Sequence, residues 1–173
     1  MNKIAVVTAT LLLSTGFAWS LPTVDGSIMA GEYSRSLSLL DGSVKVYFQT
    51  DASGGLYLAV SATTTGWVGI GLGSVVMDGA HIFMGYVKNG TPVFSEQNGE
   101  GHGHRQSMRR SADSFAASEH EGVTTIELHV PVSDVPMVGK KVSFIVAFSG
   151  SDDLKTFHDD NHDGGIMDLS ADD

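Results

Sequence analysis

Three groups of residues in this chain carry side chains able to do chemistry. The first is the segment "FHDDNHDGGIMDLS" (157–170), with two histidines, four aspartates and two adjacent glycines in fourteen residues. Asp159, Asn161, Asp163 and Gly164 repeat the D-x-[DN]-x-[DN]-G opening of a calcium loop, but the twelfth position, which should supply a bidentate carboxylate, is Ser170. The second is "GHGH" (101–104), which sets His102 and His104 two residues apart, a spacing at which an extended chain can chelate copper or zinc. The third is Met77 in "GWVGIGLGSVVMDGAH" (66–81), where an apolar, glycine-rich strand leaves room for something bulky against its backbone before entering a turn. Most methionines are core filler, yet a thioether together with an imidazole from a distant loop is a ligand pair for low-spin haem iron. On residue types alone, solvated loop, calcium, transition metal and haem all remain open.

Other chemistry is poorly supplied. The chain has no cysteine, which excludes disulfides, a thiolate nucleophile and covalent c-type haem attachment. There is no G-x-S-x-G and no H-E-x-x-H, so a hydrolase is the least supported class.

The elements that must position these residues are short. Ten alternating or β-branched runs, among them "SVKVYFQT" (43–50), "GLYLAVSAT" (55–63), "TTIELHVPV" (124–132) and "KVSFIVAFSG" (141–150), are separated by turn pairs such as "DG", "NG" and "EG". In "VKVYFQT", Val44, Val46 and Phe48 share one face and Lys45, Tyr47 and Gln49 the other, the pattern of a half-buried strand. The expected fold is all-β, an immunoglobulin-like antiparallel β-sandwich of about ten strands. His129 and Glu127 fall on a polar strand face, and 98–111 reads as one long irregular region.

The first twenty residues, "MNKIAVVTATLLLSTGFAWS", have one lysine, an apolar run too short to span a bilayer, and small residues at Ala18 and Ser20. A cleaved secretory signal over 1–20 is expected, with one domain over 21–173, a periplasmic or secreted location, and no transmembrane segment in the mature chain. The formal charge of −10, one unit more negative without Lys3, gives no long-range attraction for nucleic acid.

From Gly66 to Gly90 the sequence resembles the DOMON family, a β-sandwich module that includes the cytochrome domain of cellobiose dehydrogenase. The residues that carry the resemblance are Gly66, Trp67, Gly69, Gly71, Met77, Gly79 and Ala80, then "GVTTIELHVPV" (122–132), and then "SFIVAFSGSDDLKTFHDDNHDGGIMDL" (143–169). In haem-carrying members an aromatic-His pair follows the late strand, and Phe157 and His158 fit it. The resemblance implies Met77 and His158 as axial ligands of a non-covalent haem b, with Trp67 and Phe157 against the cofactor. His81, which stands where the family has Asp, is then a competing ligand, an extra donor to a propionate, or a ring turned to solvent. Trp67, Ile70, Leu72, Val75, Val76, Phe83 and Phe157 would line the site, and Arg105, Arg109 or Lys155 would pair with the propionates. With both axial positions filled by protein, the implied function is single-electron transfer with a redox partner protein rather than catalysis, so the protein is expected not to be an enzyme. The alternative is a non-redox binding module for carbohydrate, or for a divalent metal through the His/Asp loops.

Overall fold

Short strands with one apolar face can bury it only against another such face. The computed structural model describes residues 20–170, so the expected signal segment, apart from Ser20, lies outside the described residues. The strands are β1 (Arg35–Leu39), β2 (Val44–Thr50), β3 (Gly55–Ala62), β4 (Val68–Leu72), β5 (His81–Lys88), β6 (Thr91–Glu100), β7 (Gly103–Gln106), β8 (Ser114–His120), β9 (Val123–Pro131), β10 (Lys141–Phe148) and β11 (His162–Asp168). They form two antiparallel sheets, ordered β1-β2-β3-β9-β8 and β11-β10-β4-β5-β6-β7.

This is the expected sandwich with one strand more than the sequence runs suggest. The addition is β7, inside the stretch read as irregular. β6 continues to Glu100, the chain turns at Gly101, and β7 pairs back with Gly99 opposite His104 and Gln97 opposite Gln106. An edge strand with little apolar content has no alternation to betray it.

Between the sheets lies the main core. Val44, Val46 and Phe48 occupy the buried face of β2 as expected, beside Leu56, Leu58 and Val60 of β3 and Ile126, Leu128 and Val130 of β9. The six-stranded sheet contributes Val68, Ile70 and Leu72 of β4, Phe83 of β5, and Val142, Phe144 and Val146 of β10. Each such side chain contributes about 1.5–3 kcal/mol through burial, and together they fix which residues of each strand point outward.

On the five-stranded sheet the outward positions of β9 are Glu127 and His129. That face is polar, as expected, but it is not open to solvent, because residues 25–33 cross it. The backbone N–H groups of Asp25 and Gly26 donate to Glu127 Oε2 at 3.1 and 2.6 Å, and the Tyr33 hydroxyl donates to Oε1 at 2.8 Å. Ala59, directly opposite Glu127 in the register, leaves space for the carboxylate.

Candidate functional site

The outward face of the six-stranded sheet is of a different kind. Alternation along β4 points Val68, Ile70 and Leu72 inward and leaves Gly69 and Gly71 outward, so this strand presents bare backbone. Neighbouring strands add Ile82 and Met84 from β5 and Ile145 and Ala147 from β10, and Trp67 and Ala80 pack with them in a second apolar cluster separate from the main core. A Cβ at residue 71 would stand 2.8 Å from Ile145 Cγ1 and 3.0 Å from Ala80 Cβ, which explains the glycine: its neighbours lean over the strand.

Above this floor runs a cleft of about 280 Å³, near the lower end of the range for small-molecule sites. Its walls include Trp67, Met77, His102, His104, Lys155, Phe157 and His158. Met77 and His158, some eighty residues apart in the chain, therefore meet at one cleft, together with Trp67 and Phe157.

Each wall is held by its own backbone links. The Met77 turn is tied to the end of β6: Ala80 N–H donates to Met77 O at 3.1 Å, Gly99 N–H to Ala80 O at 2.8 Å, and Gly101 N–H to Asp78 Oδ1 at 2.8 Å. The approach is so close that a Cβ on residue 99 would lie 1.7 Å from Met77 O, so only glycine fits there. The opposite wall is fixed through Trp67, whose N–H donates to Ser151 O and whose carbonyl accepts from Ser149 N–H, both at 3.0 Å. A further turn, closed by Asn161 N–H donating to His158 O at 2.9 Å, presents the His158 ring between Phe157 (centroids 4.6 Å apart) and His162 (4.7 Å).

The histidines are oriented as metal-binding imidazoles commonly are, with one nitrogen occupied and the other bare. His158 Nδ1 lies 2.9 Å from the carbonyl of Asp159, which can only accept, so Nδ1 carries the proton and Nε2 the lone pair. His104 Nδ1 bonds Gln97 Oε1 in the same sense. Burial, and after it the neighbouring His158, holds the His104 imidazole below its ordinary value, so it is neutral at pH 7. Trp67 Nε1 is buried and has no hydrogen-bond partner among the described residues, an orphaned donor in a side chain that lines the cleft.

Several expected site residues lie elsewhere. His81 does not line the cleft. It starts β5 on the face shared with Phe83 rather than with Ile82 and Met84, and its Nε2 is 2.6 Å from Glu96 Oε1 while its ring stacks on Phe83. Ile70, Leu72 and Phe83 belong to the core between the sheets, because strand alternation sends them inward. Val75 and Val76, each 58% exposed, lie on the loop that leads to Met77 and do not line the cleft. Arg109 is paired with Asp134 and Arg105 with Glu100, leaving Lys155 as the cation in the cleft wall.

The calcium pattern is also broken by the fold. Asp163 sits within β11 opposite Val146 of β10, so the second half of the twelve-residue segment is extended strand and cannot wrap an ion. Among the described residues no three His, Asp or Glu side chains are grouped so as to hold a metal ion. Conversely, sequence reasoning set His102 and His104 apart from the haem ligands, whereas both line the same cleft as Met77 and His158. The pairing of β7 with β6 is what brings them there.

The residues fit a flat, largely apolar group with polar edges and a metal centre. A glycine-lined floor, aliphatic walls, a thioether and ring nitrogens with free lone pairs suit a porphyrin iron, and Lys155 suits a carboxylate at its edge. No protein-family model matches the chain, and no curated protein matches it. Solved structures do match. The cytochrome b domain of pyranose dehydrogenase from Coprinopsis cinerea is 14% identical, with a TM-score of 0.58 over 77% of this chain and 80% of that one. The cytochrome domain of Myriococcum thermophilum cellobiose dehydrogenase is 13% identical, with a TM-score of 0.56 over 79% of this chain and 81% of that one. The chain thus has the β-sandwich fold of these cytochrome domains, the architecture that the DOMON resemblance implies.

Proposed function

We propose that this protein is a DOMON-type cytochrome domain that holds haem b without covalent bonds in the cleft on the outer face of the six-stranded sheet. The observation that carries the reading is the meeting of Met77 and His158 across an apolar floor. His158 supplies an imidazole Nε2, its ring oriented by the Nδ1–H bond to Asp159 O, and Met77 supplies a soft thioether. Gly69 and Gly71 admit the flat face of the group, and Lys155 and the Trp67 indole are the donors available to its carboxylate edge. When bound, the haem supplies a one-electron couple, and a thioether ligand favours its reduced form. With Met77 and His158 both given to the iron, the role of the chain would be to carry single electrons.

The location is periplasmic or extracellular, as the first twenty residues suggest, and no helix among the described residues is long and apolar enough to cross a membrane. A protein of net charge −10 docks most readily on a redox partner with a basic surface.

The test is the reduced-minus-oxidised visible spectrum of protein secreted by a haem-replete host, with the pigment extracted by acid-acetone. Sharp α and β bands from an extractable haem are the expected result. A folded, colourless protein that also fails to take up added hemin would overturn the proposal.

A further inference from the structure

The cleft contains two imidazoles more than the Met77–His158 pair needs, His102 and His104. His104 lies on β7, a paired strand, and not on a free loop. Its Nδ1 is committed to Gln97 Oε1, and the Gln97 amide is itself fixed because its Nε2 donates to Ser95 Oγ at 2.9 Å. Ser95 Oγ in turn donates to Gln106 Oε1 at 3.2 Å. This chain of donors runs in one direction across the outward face of β6 and β7, so the Gln97 oxygen, not its amide nitrogen, meets the histidine. The proton is therefore on Nδ1, and Nε2 carries a lone pair with no hydrogen-bond partner among the described residues. Gln97 is 8% exposed, which shields the arrangement from competing water.

Resting on the haem reading, we infer that His104 is a reserve axial ligand of this cleft, the donor that occupies the position opposite His158 when Met77 is removed. His104 and His158 line one cleft, and both rings use Nδ1 in a hydrogen bond and leave Nε2 for another partner. Since Nε2 is already unprotonated, replacing the thioether by this imidazole transfers no proton: one iron–sulfur bond is exchanged for one iron–nitrogen bond. His102 is a weaker candidate, because it occupies the exposed turn before β7 and no hydrogen bond orients its ring.

The inference is tested with hemin-loaded wild type, Met77→Ala, and the double variant Met77→Ala/His104→Ala, read by visible absorption and by electron paramagnetic resonance of the ferric form. The expected result is that Met77→Ala stays six-coordinate and low-spin with a bis-imidazole signature and a lower potential. The double variant should become five-coordinate and high-spin, and should return to low-spin on addition of free imidazole, which shows that the cleft has survived. A second route avoids His104 itself: Gln97→Leu in the Met77→Ala background should raise the high-spin fraction, because the ring loses the bond that fixes its proton. A Met77→Ala protein that is already high-spin, or a double variant as low-spin as the single one, would overturn the inference while leaving the haem reading intact. Failure of the wild type to take up hemin at all would instead remove both.

Discussion

The two sheets share one core but treat their outer faces in opposite ways. On the five-stranded sheet, residues 25–33 are laid across β9, and most of the polar groups there are matched within the chain; His129 Nε2, buried without a hydrogen bond, faces Asp51 Oδ2 at 3.5 Å. Glu127 accepts three hydrogen bonds while wholly buried, Ser118 Oγ donates to Gly26 O at 2.6 Å, and the Gln49 side chain bonds both Ser34 N–H and Ser20 O. On the six-stranded sheet the outer face is apolar, its cover is parted by a cleft, and the groups around that cleft keep unused valence: the Trp67 indole N–H, the Met77 thioether, and Nε2 of His104 and His158. A buried polar group left without a partner costs about 1–3 kcal/mol. The buried Trp67 indole N–H, beside a thioether and two imidazoles around one cleft, therefore points to the second face as the one where something else binds.

The largest effect that sharpens this contrast is expected from His158→Ala. Loss of an outer-shell partner typically costs 10–100-fold in metal affinity, and loss of the ligand itself should cost hemin at least as much, with little change in unfolding midpoint because the ring sits on a loop outside the main core. Titration of the variant with hemin, beside urea unfolding of the cofactor-free protein, separates the two quantities; a large fall in stability with hemin affinity retained would break the assignment. Next in size is Gly99→Ala. Its new methyl group would meet Met77 O at 1.7 Å, so the Met77 turn must move. Overpacking of this kind costs about 1–3 kcal/mol, and the reduced spectrum should lose the signature of the thioether ligand although no ligand residue has been changed. An unaltered spectrum would show that Met77 does not depend on its tie to β6.

How much of this could be read from the sequence differs between the same two regions. Alternation in "VKVYFQT" gives the inward face of β2 directly, because each side of that strand meets a different environment. The Met77 and Phe157–His158 segments are legible through their likeness to a family, and the fold does bring them together. The rest depends on pairing. Nothing in "GHGHRQ" says that it is a strand, since β7 is an edge strand of polar and glycine residues, and only its register with β6 sets His104 in the cleft beside His158. His81 fails in the opposite way. Its place in the motif is right, but strand parity turns its ring toward Phe83 and Glu96, away from the face that carries Ile82 and Met84. Glu127 looks like a solvated position because an alternating polar residue usually is one, and the segment that buries it lies about a hundred residues earlier.

The smallest of the three effects concerns the outer face of the five-stranded sheet. Tyr33→Phe removes one of the three donors to Glu127 and adds no bulk. A hydrogen bond to a charged group contributes about 1.5–3 kcal/mol, so the variant should unfold at lower urea while its hemin affinity and spectrum stay those of the wild type. The pH dependence gives this prediction its sign. Burial pushes the Glu127 carboxyl above its ordinary value of 4.5, and the Tyr33 bond pulls in the opposite direction. A carboxyl raised in the folded state favours folding most below that ordinary value, and the advantage is lost as pH rises through the folded value. Removing Tyr33 raises the folded value further and extends that loss to higher pH, so the destabilisation should be smallest at pH 4, below the ordinary value, and grow as the pH rises. Equal destabilisation at all pH values would mean that Tyr33 acts by packing alone. A change in the haem spectrum would mean that the two outer faces are coupled through the core, against the division of roles drawn between them.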